Sequence, residues 1–197
     1  VNRLPDSLRF TNQEIANARA AEISKEIKSA KETVAMMSET IPLIMNDEVL
    51  LRAFLMDSAD YHDTFRNFTI SDETGLAWTT YGMTIDISDQ EQFISIMHEG
   101  AEFSVSQPFM SPFIEEDVPI ITVAYPLYSN EGELIGLFNG VISLAFLTDV
   151  ISDINYQDNG YAYIVNQSGQ FVSHPLDVIS IDDNLIEFVE DSFLPFE

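Results

Sequence analysis

Residues 119–144 read PIITVAYPLYSNEGELIGLFNGVISL and contain the strongest structural signal in the chain. Two runs rich in β-branched and other apolar residues, 119–128 and 134–144, flank the polar stretch Ser129-Asn130-Glu131-Gly132. Glycine and asparagine between two such runs favour a tight turn that joins antiparallel strands. This stretch therefore predicts a β-hairpin.

Shorter elements precede and follow the hairpin. Residues 65–70 and 76–80 predict two strands around a turn at 71–75, residues 86–99 a helix, and residues 103–109 an extended segment. Ser143 would cap a further helix whose apolar face begins at Leu144. Strands and helices in this order predict an α+β domain with an antiparallel sheet of about five strands.

Residues 11–41 predict one long helix ahead of the sheet. Thr11 and Glu14 fit a capping box, and Pro42 would end the helix. An apolar stripe recurs at steps of three and four residues, at Ile23, Ile27, Ala30, Val34, Met37 and Ile41. About 30 residues would span roughly 45 Å, more than the width of a small domain. We expect this stripe to pack on the sheet, and a homodimeric coiled-coil seam is a competing and compatible explanation. A second helix would start at Asn46 or Asp47.

A pattern of strand, polar turn and strand occurs twice, 94 residues apart. Ile70 corresponds to Ile164, Asp72 to Asn166 and Gly75 to Gly169. The repeat predicts a tandem organisation. Residues 1–45 would be the long helix, 46–154 a complete domain, and 155–197 the incomplete beginning of a second unit of the same kind.

The charge distribution excludes nucleic acid as a partner. The formal net charge is -25, and residues 67–197 contain 22 Asp or Glu and no Lys or Arg. Such a surface repels phosphate backbones and anionic lipid headgroups. It is typical of solubility in a salty medium, or alternatively of an acidic site for a cation.

Several of these segments together resemble the double Cache (dCache) family of extracytoplasmic sensor domains. They are Tyr125-Pro126-Leu127-Tyr128, the turn and strand 131–136, Val141-Ile142-Ser143-Leu144, and Gly160–Val165 followed by Gly169 and Ser173-His174-Pro175. The resemblance implies a long helix, a membrane-distal PAS-like domain that binds a small molecule, and a membrane-proximal PAS-like domain. It also implies a periplasmic position in an inner-membrane receptor, tethered by membrane spans outside this chain. A histidine kinase, diguanylate cyclase or chemoreceptor would carry the output.

Two positions depart from the amino-acid-binding members of that family. Their Arg-x-Trp-Tyr arrangement, which binds the ligand carboxylate, corresponds here to residues 89–93, which contain neither Arg nor Trp. The position of their ammonium-binding Asp is Val141. An amino-acid ligand is therefore not carried over from the resemblance.

Aromatic side chains are the best candidates for a ligand pocket. Each of them could equally fill the core, but Trp and Tyr carry a polar atom that needs a partner once buried. Asn139 interrupts an apolar strand and is a candidate for hydrogen bonding to a ligand from the wall of the pocket. The candidate ligand-binding residues are Trp78, Tyr81, Phe93, Phe109, Tyr125 and Asn139.

We expect the ligand to be neutral or cationic and not a dicarboxylate, because residues 67–197 provide no basic side chain. Arg66 would change this expectation if it turned inward.

No catalytic or cofactor motif is present, so neither enzymatic activity nor a cofactor is expected for this chain. A small hydrolase would need a nucleophile and base that the sequence does not display. The absence of cysteine excludes disulfides and zinc–thiolate sites. The alternative to a sensor is an acidic structural or adhesive module that bridges partners through calcium, with Glu115-Glu116-Asp117 as a candidate contact.

Overall fold

The structure is a computed structural model that describes residues 6–111, 118–152, 154, 161–175, 180–181 and 183–185, with residues 6–9 described by their backbone alone. The segment expected to contact calcium, residues 115–117, lies outside the described residues. No helix within the described ranges has the length and hydropathy needed to cross a membrane.

Helix α1 (Asp6–Ile44) is one continuous helix, as expected, and is longer at both ends than predicted. Thr11 and Glu14 lie inside it, so the capping-box prediction was wrong: the helix begins at Asp6, before both residues. Pro42 does not end the helix but lies in its last turn. Proline at this position removes the hydrogen bond that a backbone N–H would donate to the carbonyl of Ser38, and the helix ends two residues later, at Ile44.

Helix α2 (Glu48–Tyr61) begins at the predicted cap. Asp47 has extended backbone dihedrals, and its side chain accepts a hydrogen bond of 3.0 Å from the amide of Leu50. This bond satisfies one of the free amides of the first turn. Leu51 and Leu55 form the buried side of the helix.

Six strands form one antiparallel sheet. They are β1 (Phe65–Asp72), β2 (Leu76–Thr79), β3 (Thr84–Asp86), β4 (Ser104–Val105), β5 (Ile120–Tyr128) and β6 (Leu134–Ser143). Their spatial order is β3-β2-β1-β6-β5-β4, so β1 and β6 are central, and the predicted hairpin of β5 and β6 is confirmed.

The region predicted as one helix over 86–99 is divided. Asp86 belongs to β3, which pairs with β2, and the helical part is the short α3 (Glu91–Phe93) continued by a π-helical turn, Ile94–His98. The strand was missed because its three residues include only one apolar side chain, Ile85.

The C-terminal part of α1 packs against one face of the sheet. Ala30, Val34, Met37 and Ile41 are buried there, as the apolar stripe predicts. Strand β6 meets this helix at Gly140, where an added Cβ would lie 2.6 Å from Cγ2 of Val34. The absence of a side chain at this position therefore allows the close approach of helix and sheet.

The chain divides into two compact units, residues 30–144 and residues 1–29 with 145–197. The second unit contains α4 (Ala145–Ser152) and a hairpin of β7 (Ile164–Val165) and β8 (Phe171–Ser173). In that hairpin the imidazole of His174 packs against the rings of Tyr161, Tyr163 and Phe171.

The two similar turns share their hydrogen bonds. A side-chain oxygen of Asp72 accepts from the amides of Thr74 and Leu76. In the second turn the side-chain oxygen of Asn166 accepts from the amides of Ser168 and Gln170. Gly75 and Gly169 follow with φ of 89° and 85°. The 94-residue repeat is therefore present in the hydrogen bonding as well as in the sequence.

Candidate ligand pocket

The face of the sheet opposite α1 has a polar centre. Thr69 on β1 pairs with Thr79 on β2 and with Asn139 on β6, so these three side chains form a row across three strands. In the adjacent row, Val141 pairs with Asn67 on β1 and Thr122 on β5. Side chains alternate between the faces of a strand, and both rows therefore belong to the same face.

A cavity of about 390 Å³ lies over these rows. Residues 83–92, which include β3 and the start of α3, provide one wall through Met83, Ile85, Ile87, Gln90 and Gln92. Phe109, Ser111 and Ile120 provide the opposite wall. A volume of this size, with apolar walls and a few polar groups, is typical of a small-molecule site.

The floor of the pocket contains two buried polar atoms that have no hydrogen-bond partner within the described part of the chain. Asn139 is 3% exposed, and its Nδ2 donates to Oγ1 of Thr69 at 2.9 Å, while its Oδ1 has no partner. Thr122 is 6% exposed, and its Oγ1 also has no partner. Buried polar atoms are usually paired, so these two mark the floor as a place for polar ligand atoms.

Arg66 is the only charged residue among the described residues that line the pocket. It lies at the start of β1, and the hydroxyl of Tyr81 donates a hydrogen bond of 3.2 Å to its backbone carbonyl. A guanidinium keeps its charge at any accessible pH and suits carboxylate or phosphate groups. The described lining of the pocket therefore includes one guanidinium and no carboxylate.

Residues 6–192 match the Cache domain family. The chain belongs to the Cache domain family. Its members include the sensor domains of chemoreceptors, and this Cache domain is a ligand-binding sensor module and not a catalytic one. The family assignment supports the sensing hypothesis and not the calcium-bridged adhesive module.

Solved structures of chemoreceptor sensor domains have the same fold. The ligand-binding domain of the amino-acid chemoreceptor PctC of Pseudomonas aeruginosa, in complex with GABA, has a TM-score of 0.78 at 18% identity, over 93% of this chain and 82% of that one. The ligand-binding domain of the Pseudomonas fluorescens chemoreceptor CtaA, in complex with L-serine, has a TM-score of 0.73 at 18% identity, over 94% and 79% of the two chains. The α+β fold expected from the sequence is thus confirmed.

A curated relative is similar over a shorter stretch. The methyl-accepting chemotaxis protein PctB of Pseudomonas aeruginosa is 31% identical over 72 residues, which cover 36% of this chain. The chain spans 11% of the length of that relative.

Three of the six predicted site residues line the pocket of this Cache domain. Tyr81 and Phe109 lie at its edges, and Asn139 lies on its floor.

Two other predicted residues lie outside the lining. Trp78 pairs with Ile70, and the two are the sequence neighbours of Thr79 and Thr69 on the pocket face. Because side chains alternate along a strand, Trp78 belongs to the opposite face of the sheet. There the guanidinium of Arg52 lies 5.9 Å from its ring. Phe93 is 2% exposed and belongs to an apolar cluster that shares Ile87 with the pocket wall.

Tyr125, the sixth predicted residue, also belongs to the face opposite the pocket. Its neighbour Ala124 pairs with Asn139, and alternation turns Tyr125 away, where its ring stacks on Phe103 at 5.8 Å. Burial, and secondly the charge of Glu32, raise the pKa of Tyr125 above 10.0. Its polar atom therefore belongs to the environment of α1 and not to the pocket.

Several polar residues of the pocket were not predicted from the sequence, among them Thr69, Thr122 and Gln92. Thr122 and Asn139 each interrupt an apolar strand, and this signal could have identified Thr122 as it did Asn139. Thr69 could be recognised only once the register of β1 against β6 was known.

No group of three or more His, Asp or Glu residues that could hold a metal ion occurs within the part of the chain that the structure describes.

Proposed function

We propose that this Cache domain is the extracytoplasmic sensor of a transmembrane receptor and that its ligand binds in the pocket over Asn139. The observation that carries the proposal is the cavity of about 390 Å³, with its polar floor and apolar walls, on the sheet face that α1 does not cover. A purely structural module has no need of unpaired polar atoms above its sheet, because they lower its stability.

The charge of the pocket narrows the expected ligand. Arg66 brings a guanidinium, a group that suits carboxylates, to the pocket lining, and it disfavours a cationic ligand. An ammonium group would find no carboxylate among the described lining residues, and Val141 contributes only an apolar surface. Burial of an unpaired charge costs several kcal/mol. The ligand is therefore neutral or carries a single negative charge. Of the neutral and cationic ligands expected from the sequence, this proposal keeps the neutral one.

This charge pattern also disfavours free amino acids as the natural ligand. The relatives PctC and CtaA are named as complexes with GABA and L-serine, each of which carries an ammonium group. In the described pocket of this chain the ammonium group would lie near Arg66 without a carboxylate partner.

A thermal-shift screen of small metabolites, with a variant in which the pocket is filled, tests the proposal. A ligand present at 100 times its Kd stabilises the protein by about 2.7 kcal/mol, and the melting temperature should rise by roughly 5–10 °C. Ile85→Trp places a bulky ring in the wall and should abolish the shift. Met83, a wall residue that is 43% exposed, allows Met83→Trp as a second variant that leaves the core unchanged.

Two results would contradict the proposal. One is a screen without any hit, and the other is a hit whose shift is unchanged in both pocket-filled variants.

A further inference from the structure

The two unpaired atoms on the pocket floor lie on adjacent strands. Asn139 on β6 pairs with Ala124 on β5, and Thr122 lies two residues before Ala124 on the same face. Such diagonal neighbours have Cα atoms roughly 7–8 Å apart, so one small chemical group above the sheet can contact both side chains.

The hydrogen-bonding capacity of each atom defines what the ligand must provide. Nδ2 of Asn139 already donates to Thr69, and the remaining atom, Oδ1, can only accept. The hydroxyl of Thr122 can donate as well as accept. A ligand that presents an N–H to Asn139 and, beside it, a carbonyl oxygen to Thr122 satisfies both atoms at once.

We propose that the ligand is an uncharged amide-type compound, such as a lactam, a ureide or a carboxamide. Its N–H donates to Oδ1 of Asn139, and its adjacent C=O accepts from Oγ1 of Thr122. This inference rests on the proposed function, because it specifies the ligand of that same pocket. A single acidic group elsewhere on the ligand is compatible with it, because Arg66 lines the same cavity.

The pocket residues around Asn139 favour an uncharged N–H donor on the ligand over an ammonium group. An ammonium group at Asn139 would meet a neutral amide oxygen and, among the described lining residues, no carboxylate. A neutral N–H satisfies the same acceptor without a buried charge. The apolar wall residues Ile85, Ile87 and Ile120 fit the hydrocarbon part of such a ligand.

Ser71 provides a matched control for Thr122. Its Oγ is also buried without a partner, and the residue is 2% exposed, but it does not line the pocket. Thr122→Val and Ser71→Ala each remove a buried unpaired hydroxyl, so neither should destabilise the free protein through a lost hydrogen bond. Only Thr122→Val removes a contact to the ligand.

The experiment compares three classes of probe on the intact chain by thermal shift up to millimolar concentration. The first contains small lactams, ureides and carboxamides, the second matched primary ammonium ions, and the third matched lactones and esters, which accept but do not donate. We expect binding in the first class only. Isothermal titration of the best probe should then give a Kd about tenfold weaker for Thr122→Val and unchanged within twofold for Ser71→Ala. Asn139→Leu, as a second variant, should weaken the same probe by at least as much.

The outcomes separate this inference from the proposed function. If a probe loses affinity in Ile85→Trp but binds Thr122→Val and Asn139→Leu as tightly as the unaltered protein, the pocket is the sensor site and the amide-type contact is wrong. Selective binding of ammonium ions or esters would also overturn the inference alone. If no probe of the three classes binds while the wider metabolite screen gives a hit that the pocket-filled variants abolish, the amide-type inference alone fails. If the shift of every hit is insensitive to the pocket-filled variants, both proposals fail.

Discussion

The contact of α1 with β6 at Gly140 predicts a specific energetic coupling. A methyl group at this position would lie 2.6 Å from Cγ2 of Val34 and 2.7 Å from Cε1 of Phe65. Overpacking of this kind costs about 1–3 kcal/mol, partly offset by about 0.4–1 kcal/mol from the stiffer unfolded chain. Val34 is fully buried, and Val34→Ala should cost about 2 kcal/mol through lost burial and the cavity that remains.

The double variant Gly140→Ala with Val34→Ala should be less destabilised than the two single variants predict. Removal of Cγ2 relieves one of the two close contacts, and the new methyl fills part of the cavity, so the coupling should be about 1 kcal/mol. Urea denaturation followed by the fluorescence of Trp78, the only tryptophan, reports on the unit that contains the contact. Met36→Ala is the control, because Met36 is 63% exposed on the same helix and its change should stay within about 0.5 kcal/mol. Additivity of the two single variants to within about 0.3–0.5 kcal/mol would refute the packing of α1 on the sheet.

Three further predictions concern single sites. Gly136→Ala should destabilise the sheet by several kcal/mol in urea denaturation. The reason is that the new Cβ would lie 1.9 Å from a backbone oxygen of β1 that cannot move aside. A loss of free energy of unfolding below about 1 kcal/mol would contradict this geometry. The pKa of Asp72 lies below 3.8, chiefly because the hydroxyl of Thr74 donates a hydrogen bond to its carboxylate. The contribution of Asp72 to stability is therefore present above pH 3.8 and is lost as the pH falls through the lowered pKa. Thr74→Val should therefore raise this pKa in a titration followed by NMR, and an unchanged titration would exclude the hydrogen bond as its cause. Glu32→Gln should lower the pKa of Tyr125 towards 10.0 without reaching it, because burial is the larger cause of the raised pKa. A spectrophotometric titration measures the shift. An unchanged pKa would show that Glu32 has no influence on Tyr125.

The fold could be predicted because the signals for its elements are local. The hairpin over β5 and β6 follows from two apolar runs and a turn with glycine, and the stripe on α1 follows from helical periodicity. The start of α1 could not be predicted in the same way. Thr11 and Glu14 have the spacing of a capping box, but the same two residues also occur within a helix that begins earlier, at Asp6. Strand β3 could not be predicted, because a strand of three residues is stabilised by its pairing with β2 and not by its own composition.

The pocket was harder to predict, because it depends on which face of each strand a side chain occupies. Trp78 and Tyr125 each lie one residue away from a position on the pocket face of the sheet, and a shift by one residue moves a side chain to the other face. Asn139 could be identified because a polar residue in an apolar strand is informative without knowledge of the register. The position of Arg66 in the pocket lining depends on tertiary structure, so it could not be predicted from the sequence.

The most direct test of the sensor assignment is a crystal structure of this chain with the best compound from the thermal-shift screen. We expect the compound above the central strands, between Phe109 and the wall formed by residues 83–92, with an N–H within hydrogen-bonding distance of Oδ1 of Asn139. Electron density for the compound at any other place in the chain, with the cavity over Asn139 filled only by water, would contradict the account.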